Sequence, residues 1–110
     1  MLWHPAYVGL GSNLDEPVRQ VQRGLAALAE LPDARLVRQS SLYGSRPMGP
    51  VSQPDFVNAV AGVLTTLEAA DFFAQLRDLE CRLGRAPPRE RWGPRKIDLD
   101  LLMFGQLRLD

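Results

Sequence analysis

Apolar residues recur with helical spacing in two segments of the chain. Pro17, which suits a first helical turn, precedes a segment that ends at Leu31-Pro32. Its apolar positions lie three and four residues apart and are Val18, Val21, Leu25 and Leu28. Glu68 opens the second segment, and Gly84 follows it as a C-cap. The shared face of that segment comprises Phe72, Leu76, Leu79 and Leu83. The pattern predicts two amphipathic helices.

Four other segments have the short apolar or alternating patterns typical of strands, and they are residues 6–10, 35–45, 56–66 and 96–103. In the last of them, Ile97, Leu99 and Leu101 face one way and two aspartates face the other. Residues 46–54 and 85–94 are rich in proline and glycine, which predicts two irregular loops. Loops of this length inside a compact domain tend to be functional.

The resulting order is strand, helix, strand, strand, helix, strand. This order predicts an α+β fold, a ferredoxin-like βαββαβ sandwich with an antiparallel sheet and both helices packed on one face. At 110 residues the chain suits a single domain spanning 1–110. We expect the two aspartates of the last strand to point to the sheet face that the helices leave open.

Composition narrows the function classes. The formal net charge is zero, which argues against nucleic acid or an anionic membrane as a partner. The chain has one cysteine, so an internal disulfide is excluded and a reducing cytoplasm is the expected location. Neither a signal-length leader nor an apolar run of membrane-spanning length occurs. We therefore expect a cytoplasmic protein with small-molecule partners, present as a monomer or weak homodimer.

Asp98 and Asp100 carry the strongest chemical signal. Residues two apart on a strand point the same way, so both carboxylates can converge on hard cations such as Mg²⁺. Arg91 and Arg95 lie directly before them with Trp92 between, and arginine is well shaped to bind phosphate. The pattern indicates a site for a Mg²⁺-bound polyphosphate. The alternative is an ordinary half-exposed strand whose aspartates form surface ion pairs.

Other polar positions leave both readings open. Asn58 lies in mid-strand, where its amide needs a partner that either a ligand's heterocycle or the nearby backbone could supply. Phe56 has the same strand parity and suits either ring stacking or the core. Glu80 is by default an exposed helix residue. The segment 9–13 lacks the glycine pattern of a phosphate-binding loop and is expected to be a tight strand-to-helix turn.

Several motifs together resemble one enzyme family. They are YVGLGSN, SSLYGSRPMGP, QPDFVNAV, LECRLGR and RWGPRKIDLDLL, and they occur in this order along most of the chain. With them the sequence closely resembles the 6-hydroxymethyl-7,8-dihydropterin pyrophosphokinases of folate biosynthesis. The resemblance implies transfer of the terminal diphosphate of ATP to the hydroxymethyl group of the pterin, with release of AMP and with two Mg²⁺ ions as cofactors.

The resemblance also implies roles for individual residues. Asp98 and Asp100 match the two metal-binding aspartates. The implied catalytic set is completed by Arg85, Arg91, Trp92 and Arg95, which match positions associated with the phosphates and with loop closure. The implied pterin-binding set is Ser45, Met48, Phe56 and Asn58. The implied nucleotide-binding set is Glu80, Arg85, Arg95 and Leu101.

Two departures from the family pattern are expected to matter. Pro87-Pro88 stands where relatives often carry basic residues, which removes donors and stiffens the loop. Relatives also continue beyond the last motif, so we expect the family's C-terminal segment to be lacking here. The alternative function is accordingly a non-catalytic domain that binds pterin or nucleotide or self-associates. An RNA-binding module finds little support, because the strands lack the required aromatic pattern.

Overall fold

The computed structural model describes residues 2–47, 49–50, 52–84, 96–105 and 107–108. Within them, the strands and helices in chain order are β1 (His4–Ser12), α1 (Pro17–Ala29), β2 (Ala34–Gln39), β3 (Tyr43–Ser45), β4 (Phe56–Thr65), α2 (Ala69–Arg82), β5 (Asp98–Phe104) and β6 (Leu107–Arg108). None of the helices formed by these residues is long and apolar enough to cross a membrane.

The strands form one antiparallel sheet in the order β2-β4-β1-β5-β6, and β3 pairs with β4 beyond the end of β2. If β2 and β3 are taken as one interrupted strand, the sheet has the order expected of a ferredoxin-like sandwich. The α+β class predicted from the sequence is therefore confirmed. The β5-β6 hairpin, which turns at Gly105 with φ +57°, adds a short edge strand that the sequence pattern did not predict.

Both helices cover the same face of the sheet, as predicted. Helix α1 packs against β1, β2 and β4, whereas α2 packs against β5. The three central strands turn alternate apolar residues towards the helices, and the most deeply buried of these are Ala6, Val8, Leu10, Ala59, Ala61, Val63 and Leu99. The opposite face carries no helix among the described residues, and we refer to it as the open face.

The helix boundaries follow the sequence signals closely. Helix α1 begins at Pro17, but it ends at Ala29, before the predicted Leu31. Val18 was expected on its apolar face and is instead 48% exposed, because the buried stripe of the helix is centred on Val21, Gly24 and Leu28 and Val18 lies at its margin. Gly84 follows α2 with φ +98°, a conformation that favours glycine and confirms the predicted C-cap.

The predicted strand over residues 35–45 is wrong in one respect, because it is broken into β2 and β3. Ser40, which lies between them, still faces β4: its N–H donates to Val60 O at 2.8 Å. The Val60 N–H in turn donates to the Ser40 hydroxyl at 2.8 Å. A side-chain oxygen thus takes the place of a backbone carbonyl in the ladder, which interrupts the strand without detaching it from β4.

Strand β5 contains a β-bulge that the alternating pattern did not reveal. On β1, Val8 pairs with Leu101 and the preceding Tyr7 pairs with Met103, so Leu102 is an extra residue in β5. Leu102 and Met103 are both exposed, and Phe104 returns to the core. The predicted alternation therefore holds from Ile97 to Leu101 and changes parity after it.

The irregular loop predicted over residues 46–54 is confirmed for its described members, which belong to no helix or strand. The second predicted loop, residues 85–94, lies outside the described residues. The last strand begins at Asp98, two residues later than expected, although Ile97 is already fully buried.

Candidate functional site

Asp98 and Asp100 both project from the open face of the sheet. Leu99 between them is fully buried beneath the helices, whereas Asp100 is exposed and Asp98 is half-buried. The two carboxylates therefore share one side of β5, as the strand period predicted. Their positions are fixed by pairing with β1, where Gly11 lies opposite Asp98 and Gly9 lies opposite Asp100.

A row of residues crosses the open face from β4 to β5. Gly11 pairs with Asn58 on one side and with Asp98 on the other. Since adjacent strands lie about 4.8 Å apart, the α-carbons of Asn58 and Asp98 are separated by about 10 Å. No side chain of β1 separates Asn58 from Asp98, and we refer to this strip of the open face as the trough.

The Asn58 amide is held in a definite orientation. Its Nδ2 donates to Ser45 Oγ at 2.8 Å and to Tyr43 O at 3.3 Å. Its Oδ1 lies over Gly11, 3.2 Å from the position that a β-carbon on that glycine would take. Phe56 Cδ1 lies 3.7 Å from the same position. The structure thus brings together Ser45, Phe56 and Asn58 and directs an acceptor oxygen towards the trough.

Glu80 differs from the exposed helix residue expected by default. Only 2% of its side chain is exposed, and its Oε2 accepts a hydrogen bond from the Leu99 N–H at 2.7 Å. The neighbouring Arg77 guanidinium lies with its Nε 3.2 Å from Glu80 Oε1. A buried carboxylate needs such partners, and one of them is a backbone amide that residue spacing within the helix cannot reveal.

Leu101 is largely buried as well. The residue is 7% exposed and belongs to the core cluster. The remaining predicted site residues lie outside the described residues. They are Met48, Arg85, Arg91, Trp92 and Arg95.

Asn13 is a buried polar residue that the sequence analysis did not single out. It is 2% exposed, and its Nδ2 donates to Gln53 Oε1 at 2.8 Å and to Pro54 O at 2.9 Å. These bonds join the end of β1 to the proline-rich loop that leads into Phe56. The sequence signal was a short polar segment after the glycines of β1, and it was interpreted only as a turn.

The described residues contain no group of three or more His, Cys, Asp or Glu side chains that could enclose a metal ion. Two carboxylates on one strand nevertheless fit Mg²⁺, which commonly takes one or two protein carboxylates and completes its octahedron with water and substrate phosphates. Gly9 and Gly11 opposite them contribute no side chain, and the positions that their β-carbons would take are approached by Leu102 at 3.3 Å and by Asn58 at 3.2 Å. The donor set therefore suits a cation shared with a phosphorylated ligand.

Comparison with known proteins assigns the chain to a family. The family model described as 7,8-dihydro-6-hydroxymethylpterin-pyrophosphokinase matches residues 7–109. This match includes the whole row from Asn58 to Asp98 and both aspartates of β5.

Individual relatives carry a corresponding name, 2-amino-4-hydroxy-6-hydroxymethyldihydropteridine pyrophosphokinase. The protein from Pseudomonas aeruginosa is 50% identical over 104 residues, which are 94% of this chain and 64% of the relative. That from Haemophilus influenzae is 46% identical over 100 residues, covering 91% of this chain and 62% of the relative. That from Pseudomonas putida is 44% identical over 105 residues, covering 96% of this chain and 86% of the relative. The chain thus spans less than two thirds of the length of the first two.

Proposed function

Because the chain belongs to the 7,8-dihydro-6-hydroxymethylpterin-pyrophosphokinase family, we propose that it transfers the terminal diphosphate of ATP to the hydroxymethyl group of 6-hydroxymethyl-7,8-dihydropterin and releases AMP. The observation that carries this proposal is the row Asn58–Gly11–Asp98 on the open face. A group suited to a heterocycle edge and a group suited to a cation lie at opposite ends of one trough.

The pterin is proposed to occupy the Asn58 end of the trough. With Nδ2 engaged by Ser45 and Tyr43, Asn58 presents Oδ1 as an acceptor for an amino or ring N–H donor of the pterin. Phe56 lies beside it and offers an aromatic face for stacking. Met48 is assigned to the same pocket by resemblance to the family. These contacts would fix the direction in which the hydroxymethyl group points.

The diphosphate is proposed to lie at the Asp98 and Asp100 end. These carboxylates would hold two Mg²⁺ ions, which when bound neutralise charge on the phosphate oxygens. Arg85, Arg91, Trp92 and Arg95 are assigned to the phosphates and to loop closure by the resemblance. Glu80 and Leu101 are assigned to the nucleotide side on the same basis.

Positioning is the main contribution that these side chains can make. The substrate hydroxyl attacks the β phosphorus, and AMP leaves on the opposite side. No protein nucleophile is required, and we assign no side chain as general base. Holding the hydroxyl in line with the phosphorus replaces an encounter between two free molecules, which can contribute several kcal/mol, up to about 7–11 in the most favourable intramolecular cases.

The test is pterin-dependent AMP formation from ATP and Mg²⁺ by this chain, compared with Asp98→Ala and Asp100→Ala. We expect each substitution to lower the rate at least about 100-fold, because charge stabilisation at the phosphates is lost. The fold should persist, since both side chains lie on the open face. Asp33→Ala is the matched control, because Asp33 is exposed in the turn before β2, at the other end of the sheet.

Three outcomes separate the possibilities. AMP that is lost in both aspartate variants and retained in Asp33→Ala supports the proposal. A folded chain that binds ATP and pterin without forming AMP would leave the binding-domain alternative. A folded chain that binds neither ligand would overturn both the reaction and the placement of the trough.

A further inference from the structure

Two side chains of α2 bind the backbone of the residue between the aspartates. Glu80 Oε2 accepts the Leu99 N–H at 2.7 Å, and Arg77 Nη2 donates to the Leu99 carbonyl oxygen. Arg77 Nε lies 3.2 Å from Glu80 Oε1 as an ion pair whose geometry falls short of a hydrogen bond. Both polar groups of one peptide residue are thus bound by one pair of charged side chains, which we call the Leu99 clamp.

The clamp lies at the outer side of β5. On the inner side Leu99 pairs with Leu10 of β1, whereas β6 pairs only with Met103 and Phe104. Among the described residues, no strand lies beside Leu99 on the outer side. Unpaired N–H and C=O groups of a sheet edge must be satisfied elsewhere, and here the two charged side chains occupy the place of a neighbouring strand.

The burial of the clamp indicates that its position is closely defined. The Glu80 side chain is 2% exposed and that of Arg77 is 35% exposed. The Arg77 guanidinium also stacks over the Phe73 ring, with 4.8 Å to the ring centroid. A carboxylate placed in the core costs stability unless it is paired, and simple helix packing here could have used an apolar residue. The charged pair is therefore better explained by what it holds than by packing.

We propose that Arg77 and Glu80 are positioning residues that fix the Leu99 peptide groups and so set the spacing of the Asp98 and Asp100 carboxylates for a divalent cation. This inference rests on the proposed function, which places the cation at those aspartates. Neither Arg77 nor Glu80 is required to touch it.

The requirement for accurate spacing comes from the cation. Mg²⁺ demands near-ideal octahedral geometry with short oxygen contacts, about 2.0–2.1 Å. Each aspartate is joined directly to Leu99, so a shift of that residue moves both carboxylates. Groups that orient metal ligands without touching the metal typically change metal affinity by roughly 10- to 100-fold when they are removed.

The test measures Mn²⁺ binding by electron paramagnetic resonance in the presence of a non-hydrolysable ATP analogue. We expect Glu80→Ala to raise the Mn²⁺ dissociation constant roughly 10- to 100-fold. Glu80→Gln should lose less affinity, because its amide oxygen can still accept the Leu99 N–H. Arg77→Met keeps an apolar side chain on Phe73 and should weaken Mn²⁺ binding as well. If Glu80→Ala does not fold, Mn²⁺ binding by Arg77→Met tests the inference in its place.

Asp78→Ala is the matched control, because Asp78 and Arg82 form an ion pair at 3.0 Å on the exposed side of the same helix. It should bind Mn²⁺ as the unsubstituted chain does. Dihydropterin affinity should be unchanged in all variants, since the pterin is assigned to the other end of the trough. A uniform loss of both ligands would indicate a general structural effect and overturn the inference.

Amide hydrogen exchange at Leu99, followed by NMR without any ligand, tests the clamp separately. Exchange should accelerate in Glu80→Ala and not in Asp78→Ala. If the unsubstituted chain binds Mn²⁺ tightly and both Glu80→Ala and Arg77→Met bind it equally well, the positioning role is overturned and the proposed function is not. A lack of Mn²⁺ binding by the unsubstituted chain would overturn the proposed function and this inference together.

Discussion

Asn58 shows how a single residue on the open face is prepared for a ligand before any ligand binds. Its two donor hydrogens are engaged by Ser45 Oγ and Tyr43 O, which leaves the acceptor oxygen over Gly11. A hydrogen bond to a side chain that is already oriented costs little conformational entropy on binding. The specificity of this end of the trough therefore depends on Ser45 as well as on Asn58.

We predict that Asn58→Ala weakens dihydropterin binding more than nucleotide binding. Loss of a polar contact that leaves a ligand group unsatisfied costs about 1–3 kcal/mol, so the pterin dissociation constant should rise by roughly 5- to 150-fold. Isothermal titration calorimetry with each ligand separately measures both effects. Ser45→Ala should give a smaller change in the same direction, because it removes one of the two acceptors that orient the amide and leaves the Asn58 oxygen in place. A larger loss of ATP affinity than of pterin affinity would show that the pterin end is misplaced.

The residues of the site differ in how well the sequence alone could predict them. The orientation of Asp98 and Asp100 follows from strand parity and is confirmed by the burial of Leu99. Glu80 could not be predicted, because its partner is a backbone N–H that lies 19 residues away along the chain. Gly11 gains its importance only from the pairing register, which a single sequence does not contain.

Among the elements, α1 and the sheet meet at an unusually close contact. A β-carbon on Gly24 would lie 2.8 Å from Leu10 Cδ2 and 3.4 Å from Ile97 Cδ1. Gly24 therefore lets the helix approach the central strand more closely than any other residue would allow. Both neighbours of Gly24 lie in the core, since Leu10 is 2% exposed and Ile97 is fully buried.

We predict that Gly24→Val destabilises the protein through overpacking, by about 1–3 kcal/mol. The free energy of unfolding is measured from urea denaturation with intrinsic fluorescence. Ala26→Val is the control, because residue 26 lies on the exposed side of α1 and should cost less than about 0.7 kcal/mol through helix propensity alone. Equal midpoints for the two variants would mean that Leu10 can move aside without strain.

At this scale the sequence predicted the type and order of the elements better than their continuity. Helical periodicity and the flanking Pro17 and Gly84 located both helices to within two residues at most ends. The break between β2 and β3 was missed, because a serine hydroxyl replacing a backbone carbonyl has no signature in the hydrophobic pattern. The bulge at Leu102 was missed because residues 101–104 are all apolar, so no alternation of polar and apolar residues marks the extra one.

As a whole, the molecule is organised around β1, which pairs with β4 on one side and β5 on the other. Both partners are distant in sequence: Gly11 pairs with Asn58 and with Asp98. A sheet closed by such distant pairings cannot be completed until the last strand is present. The site shares this property, since its two ends come from β4 and β5.

We predict that a variant ending at Gly84 lacks cooperative unfolding. It loses core side chains from Ile97, Leu99, Leu101 and Phe104, and burying each contributes roughly 1.5–3 kcal/mol. The summed loss is comparable to the total stability of about 5–15 kcal/mol that is typical of a domain. Thermal unfolding followed by near-ultraviolet circular dichroism should show no transition. A sharp transition near that of the full chain would mean that β5 is dispensable for the core.

The bulge at Leu102 has a consequence for how this chain can change in evolution. It lets β5 point two carboxylates away from the core at one end and insert Phe104 into the core at the other. Without Leu102, β5 would alternate regularly, with Met103 on the open face and Phe104 still on the core face, so the bulge absorbs one residue without turning the carboxylates or the ring. A one-residue deletion is therefore expected to be tolerated at the bulge, whereas a deletion between Ile97 and Leu101 would exchange the faces of the aspartates and the core residues.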